Sequence, residues 1–249
     1  MSPQKIKGLR ALALLIPALF LTGCSKVSEL GFPEGVSSVN DESLSLWQGA
    51  WITAGIVGVG TLILILWPAV FHRGKKDGPE FPKQTQYHIP IEIVYTIIPF
   101  IIVAVMFYYT TKKETAITAK STTTMHQISV TGMQWSWQFA YPEAGPNAVV
   151  TGTPAKPPVL VVPLGERVRY TIISNDVVHG FWIPAFMIQM QNLPGVTNHL
   201  EFTANKLGEY PGRCNILCGR AHSQMIFTVK VVTPSDYAAY LQTLEGNPA

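Results

Sequence analysis

Two long apolar stretches occupy the first half of the chain, and alternation of apolar with polar residues marks the second. Leu46 to Phe71 carries no charged side chain, and about 20 such residues cross a bilayer as a helix. Trp47, Trp51 and Trp67 lie towards its ends, where amphipathic rings settle at a membrane–water interface. Gly55, Gly58 and Gly60 leave room for close helix contact. Pro90 to Tyr109 is the second stretch, with one acid, Glu92, near its start. Pro90 suits a first helical turn, and Pro99 predicts a kink. The segment between them, His72 to His88, holds Arg73, Lys75, Lys76 and Lys83. The positive-inside rule places it in the cytoplasm, so the termini of this hairpin lie outside. Lys112 and Lys113 sit on that outer side and count slightly against the rule; the export signal described below outweighs them.

Beyond residue 115 the period changes to two. Ile128-Ser-Val130, Val168-Arg-Tyr170-Thr-Ile172 and Met225 to Val231 alternate, Val159 to Val162 is a short continuous run, and Gly, Pro and Asn clusters punctuate them. This predicts an all-β sandwich. Tyr237, Tyr240, Leu241 and Leu244 are spaced for one helix over Pro234 to Leu244, with Ser235 as its expected cap. The expected organisation is a segment 1–23 that directs export, an exported linker 24–44, a transmembrane helical hairpin 45–110, and an outer-face domain 115–249.

Composition supports this division. Of 249 residues 47% are hydrophobic and 13% charged, against about 25% charged in ordinary soluble domains. A net charge of +3 is too small to argue for a nucleic-acid partner, and the chain has no basic tract or matching motif. The N-terminus has Lys5, Lys7 and Arg10, then an apolar run from Ala11 to Leu21, then Thr22-Gly23-Cys24. That is the layout of a secretory signal. Leu21-Thr22-Gly23-Cys24 also resembles a bacterial lipobox, in which Cys24 becomes the lipidated first residue. The alternatives are a plain signal peptide and an uncleaved helix.

The densest chemistry lies near the C-terminus, in Cys214-Asn-Ile-Leu-Cys218-Gly-Arg-Ala-His222-Ser-Gln-Met225. Thiolate and thioether are soft ligands that select copper, and imidazole suits copper too. Spacings of four, four and three residues fit a loop wrapped around a metal. A disulfide between Cys214 and Cys218 is the alternative. A further ligand must come from elsewhere, and His179, which follows the strand ending at Ile173, is the candidate.

These residues carry a resemblance to subunit II of haem–copper cytochrome c oxidases. It covers nearly the whole chain: a two-helix hairpin, then a cupredoxin-like Greek-key β-sandwich. The family's dinuclear copper-A motif, Cys-x-x-x-Cys-x-x-x-His-x-x-Met plus an upstream His, matches Cys214, Cys218, His222, Met225 and His179. A mononuclear blue-copper site needs one cysteine; two allow bridging thiolates. The resemblance further implies the backbone carbonyl of Ile216 as a ligand. Family members usually carry a glutamate there that reaches a magnesium ion. An isoleucine side chain offers no oxygen to such a hard cation, so this position's contribution to a magnesium site is put in doubt. Gly132-Met133-Gln134-Trp135-Ser136-Trp137 resembles the family's aromatic stretch, which makes Trp135 the electron acceptor above the copper; as strand residues alone, both tryptophans read as sandwich core. Glu92 in Glu92-Ile-Val-Tyr-Thr96-Ile-Ile-Pro99 matches the residue at the mouth of the proton-conducting K channel; read alone, it is a first-turn acid favoured by the helix dipole.

The resemblance implies an electron-transfer subunit of a respiratory terminal oxidase in a bacterial plasma membrane, with its C-terminal domain on the outer face. It implies uptake of electrons from cytochrome c and delivery to haem in subunit I, for oxygen reduction coupled to proton pumping. A membrane-anchored copper carrier and a quinol oxidase subunit II are the rivals; the latter lacks the copper ligands present here. From His126 to Asp236 the acids are Glu143, Glu166, Asp176, Glu201, Glu209 and Asp236, against Lys156, Arg167, Arg169, Lys206, Arg213, Arg220 and Lys230. Such a balance gives little steering to a basic soluble cytochrome. Fixed association with a membrane-tethered cytochrome c, as in a supercomplex, needs less steering, whereas a soluble donor calls for a local acidic patch.

Overall fold

The apolar runs fold as two helices, α1 Asn40–Phe71 and α2 Ile89–Ile117, each long and apolar enough to cross a membrane. The computed structural model describes residues 31–72, 84–123 and 126–245. The segment 1–23, Cys24 and the four basic residues of the connecting loop lie outside the described residues. Gly55, Gly58 and Gly60 have no neighbour within 4 Å of a built Cβ, so the contact between α1 and α2 does not use them. Both helices continue past their apolar runs, because their outer turns meet the β-domain rather than lipid. There Lys113 pairs with Glu42. At the other end of α2, His88 caps the helix and the Glu92 carboxylate accepts the His88 backbone N–H at 2.9 Å, in the manner of a capping box.

Ten strands follow: β1 His126–Met133, β2 Ser136–Ala140, β3 Val149–Thr151, β4 Val159–Pro163, β5 Arg167–Ser174, β6 His179–Ile183, β7 Ile188–Asn192, β8 Asn198–Thr203, β9 Gly208–Cys214 and β10 Ile226–Val232. They form two five-stranded sheets, β3-β2-β1-β5-β8 and β4-β10-β9-β6-β7. β1 runs parallel to β5 and β10 parallel to β4, while the other pairs are antiparallel. This is a cupredoxin-like sandwich, and it stands on the extracytoplasmic side of the hairpin.

The sequence alternation becomes the core. Val168, Tyr170 and Ile172 of β5 point inward, as do Phe227, Val229 and Val231 of β10. Trp137 meets Phe181 and Phe227 edge-on, while Phe181 stacks on Phe227 and Tyr170 on Phe202. Such aromatic pairs add to the stabilisation from burial. β4 is buried on both faces, which explains its continuous apolar run. The hydroxyl of Tyr141 accepts the Val161 N–H at 2.9 Å, and the C-terminal helix α3, Pro234–Glu245, packs beside it. α3 is capped by Thr233, whose Oγ1 accepts the Asp236 N–H at 3.2 Å. Ser235 was the expected cap, but Pro234 takes the first helical position and moves the cap two residues earlier, to Thr233.

Both connections to the hairpin are fastened to the sandwich. Before α1, Val36 and Val39 are buried, Ser38 N–H donates to Thr203 O at 2.9 Å and Asn205 N–H to Val36 O at 2.8 Å. After α2, the buried Glu201 carboxylate accepts Ser121 N–H at 2.9 Å, Arg169 Nε at 2.7 Å and Arg167 Nε at 3.0 Å. Burial raises the Glu201 pKa, but those donors outweigh it and leave the carboxyl below its usual range.

Candidate metal centre

Three loops converge at one end of the sandwich. β6 presents His179 at its first residue, β9 presents Cys214 at its last, and the β9–β10 loop brings Cys218, His222 and Met225. A ring nitrogen of His179 and the two sulfurs lie within 4.8 Å of one another, all three residues buried. The cysteines are free thiols with Sγ atoms 3.9 Å apart, so they are not paired as a disulfide. Cys218 Sγ lies 3.5 Å from His222 Nδ1 and 3.7 Å from the fully buried Met225 Sδ. The Ile216 carbonyl oxygen is 3.2 Å from Cys214 Sγ. His222 is half-buried in a short 3-10 turn, His222–Gln224, and Ile216 lines a groove of about 600 Å³ beside the outer ends of the helices.

The donors fit a soft or borderline cation. His179 Nε2 is bonded to Asp176 Oδ1 at 2.7 Å, while its Nδ1 is buried with no hydrogen-bond partner among the described residues. An orphaned buried nitrogen is costly, and with Nε2 engaged, Nδ1 is the atom left to ligate. Burial pushes the Cys214 thiol up, but the His179 ring and the Gly180 N–H near its sulfur outweigh that and bring it down. Burial and the neighbouring Cys214 push the Cys218 thiol up. A second thiolate beside the first therefore needs a cation between them, which metal coordination supplies. Gly132 makes room for this arrangement: a Cβ there would sit 2.9 Å from the His179 ring.

Two neighbours of the site were not singled out as functional from the sequence. Asp176 binds His179 and accepts backbone N–H groups from Gln134 and Val177, both at 2.6 Å. Burial raises its pKa, but the His179 bond and these amides outweigh it, and the net shift is downward. The available signal was its place three residues before a candidate histidine ligand, since such histidines commonly bond a carboxylate through their second nitrogen. Gln134, just before Trp135, donates its side-chain amide to the Cys218 carbonyl at 2.8 Å. Trp135 is half-buried, with its indole N–H on the same carbonyl at 3.2 Å. Trp137 is wholly buried core. Glu92 lies far along the chain at the opposite end of α2, away from this cluster.

A two-helix membrane anchor carrying a cupredoxin-like domain with a buried His/Cys cluster defines a class of membrane-bound, metal-binding β-sandwich protein. The family model "Cytochrome C oxidase subunit II, periplasmic domain" matches residues 155–232. The chain is 35% identical over 280 residues to a probable cytochrome c oxidase subunit 2 of Streptomyces avermitilis, covering 97% of this chain and 88% of that one. It is 34% identical over 300 residues to cytochrome c oxidase subunit 2 of Mycobacterium tuberculosis H37Rv, covering 95% and 82%. Among solved structures, the periplasmic domain of subunit II of cytochrome oxidase of Bradyrhizobium japonicum aligns with 51% of this chain and 98% of its own, at 30% identity and a TM-score of 0.47. The chain belongs to the cytochrome c oxidase subunit II family. It is thus an electron-transfer subunit of an oxidoreductase complex and associates with other oxidase subunits.

Proposed function

We propose that the cluster holds a dinuclear copper-A centre, ligated by His179, Cys214, the Ile216 carbonyl, Cys218, His222 and Met225. On this reading it takes electrons from cytochrome c and hands them to haem in subunit I, in a plasma-membrane oxidase that reduces oxygen and pumps protons. The buried Nδ1 of His179, which has no hydrogen-bond partner among the described residues, beside two free thiols carries the proposal. Copper bound there would accept and release one electron at a time. The chain's own residues fix the ligands: Asp176 holds the imidazole tautomer, and the sandwich buries Cys214, Cys218 and Met225. Such enclosure argues against a copper carrier, which has to exchange its metal.

Trp135 is proposed as the acceptor of the incoming electron, because its indole joins the surface to Cys218 through one hydrogen bond. The surrounding surface favours a tethered donor. Glu143 and Glu166 bind His126, Asp176 binds His179, Glu201 binds two arginines and Asp236 bonds Thr233 at the start of α3. Only Glu209, in a loose surface pair with Lys230, remains of the acids from His126 to Asp236. Leu217, at the tip of the ligand loop, is 80% exposed. Docking through apolar contact with a membrane-held cytochrome c in a supercomplex fits this surface better than long-range steering. Glu92 is proposed at the K-channel mouth, a role compatible with its capping bond. Ile216 gives magnesium no side-chain ligand. The domain division, with export segment 1–23 and lipidated Cys24, belongs to this reading.

The test is electron paramagnetic resonance on the copper-loaded chain with metal analysis. Two coppers per chain sharing one unpaired electron are expected, and Cys214→Ser or Cys218→Ser should abolish the delocalised signal. A normal two-copper spectrum in either variant would overturn the bridging-thiolate assignment.

A further inference from the structure

The turn between β1 and β2 meets the metal site through Gln134 twice. Its backbone N–H donates to Asp176 Oδ2 at 2.6 Å, and Asp176 Oδ1 holds His179 Nε2. Its side-chain amide donates to the Cys218 carbonyl at 2.8 Å, the acceptor that also takes the Trp135 indole at 3.2 Å. One residue thus ties the His179 side of the cluster to the Cys218 side. The turn also lies directly on the ligand loop. Gly219 has φ +123, and a Cβ there would stand 3.0 Å from Trp135 Nε1 and 3.1 Å from Gln134 Nε2. A side chain at 219 would crowd both donors of the carbonyl they share.

We infer that Gln134 is a positioning residue for electron uptake: it fixes the Cys218 carbonyl so that the Trp135 indole stays coupled to the Cys218 sulfur. This rests on the proposed role of Trp135. The path from indole to sulfur crosses a single hydrogen bond and then the bonds of residue 218 itself. Of the two donors, Gln134 makes the shorter bond, and its backbone is pinned independently through Asp176. The indole bond is longer, at 3.2 Å. Without the Gln134 amide, the carbonyl keeps one weak partner, and rotation of that peptide plane lengthens the route. Transfer would balance: the cytochrome haem would lose one electron, copper held by the cluster would gain it, and no proton would move at Gln134.

The experiment compares Gln134→Leu, which keeps the backbone N–H on Asp176 but removes the amide, with wild type in the assembled oxidase. Three readouts are expected. The copper resonance spectrum is unchanged. Single-turnover copper reduction by cytochrome c slows severalfold with little change in KM. In the full-length chain without copper, the nitrogen-15 indole resonance of Trp135 shifts and its N–H exchanges severalfold faster with solvent. In a Trp135→Phe background, Gln134→Leu should add no further slowing, because the two residues act through one carbonyl. A raised KM with an unmoved indole resonance would overturn the inference and make Gln134 a donor contact. Equal slowing in both backgrounds would overturn it too. If Trp135→Phe alone leaves reduction unaffected, the role of Trp135 fails, while the indole measurement still decides whether Gln134 positions the ring.

Discussion

Replacing Asp176 with Asn should weaken copper binding by about tenfold, through the tautomer of His179. The carboxylate accepts three N–H donors, from His179 Nε2, Gln134 and Val177, all within 2.7 Å. Asparagine offers one acceptor oxygen, and its NH2 must face one of those donors. If it faces His179, the ring moves its proton to Nδ1, and the ligating nitrogen is blocked. If it faces Gln134, that amide loses its partner and the turn bearing Trp135 loosens. Loss of a carboxylate partner to a metal-bound histidine costs ~10–100-fold in metal affinity, or about 1.4–2.7 kcal/mol. The Asp176 side chain is 31% exposed, so water replaces part of the lost bond and the lower end of that range applies. Competition with a chelator of known copper affinity measures it, on the full-length chain in detergent. Copper affinity equal to wild type would refute the argument. So would a loss matched by Asp176→Glu despite a retained carboxylate bond to the ring in its spectrum.

Two further outcomes follow from other parts of the molecule. His126 lies between Glu143 at 2.7 Å and Glu166 at 2.8 Å, with Tyr237 against its ring; burial lowers its pKa, but the two carboxylates outweigh that and raise it above 6.5. Its stabilising contribution is therefore complete below pH 6.5 and is lost as pH rises through the raised folded value, so the melting-temperature advantage of wild type over His126→Gln should shrink across that window; an advantage that grows with pH would contradict this. Intact-mass analysis of the purified subunit should give residues 24 to 249 plus a diacylglyceryl group, with or without an extra acyl chain, whereas an unmodified Cys24 or a retained Met1 would count against lipidation.

The ligand loop was legible because four soft or borderline donors fall within twelve consecutive residues, and no tertiary information is needed to group them. His179 stands 35 residues before Cys214 in the sequence, and was joined to it by the loop's need for a further ligand and by the family motif; in the fold, the short pairing of Phe181 with Cys214 brings β6 against β9. Asp176 and Gln134 were not legible as partners of the site. A loop acid and a turn amide carry no periodicity, and their roles depend on which loops meet at one end of the sandwich. The strands β5 and β10 were readable from alternation, whereas β3 is only three residues long and leaves no pattern. The charge count gave near neutrality but could not reveal that most of the acids are spent on internal partners, because pairing is a property of position rather than composition.

The hairpin and the metal cluster are also closer mechanically than the sequence suggests. Asn40, the first residue of α1, is fully buried, with its Oδ1 accepting Gly35 N–H at 2.8 Å and its Nδ2 donating to Ala185 O at 3.4 Å. Ser37 Oγ donates to the carbonyl of Phe186 at 3.2 Å. Ala185 and Phe186 belong to the short turn Pro184–Phe186 that ends β6, and His179 is the first residue of that strand. A strand of this length spans roughly 16 Å, so one rigid element joins the top of the membrane helix to a proposed copper ligand. Glu201 secures the other connection, since its carboxylate and the two arginines it binds hold residues 119 and 121 after α2. Electron tunnelling falls steeply with distance, and a sandwich hinged on its anchor would sample many distances to an acceptor within the membrane. Two independently fastened connections remove that freedom. The height of the cluster above the helices is therefore set by this chain itself, before any partner subunit docks.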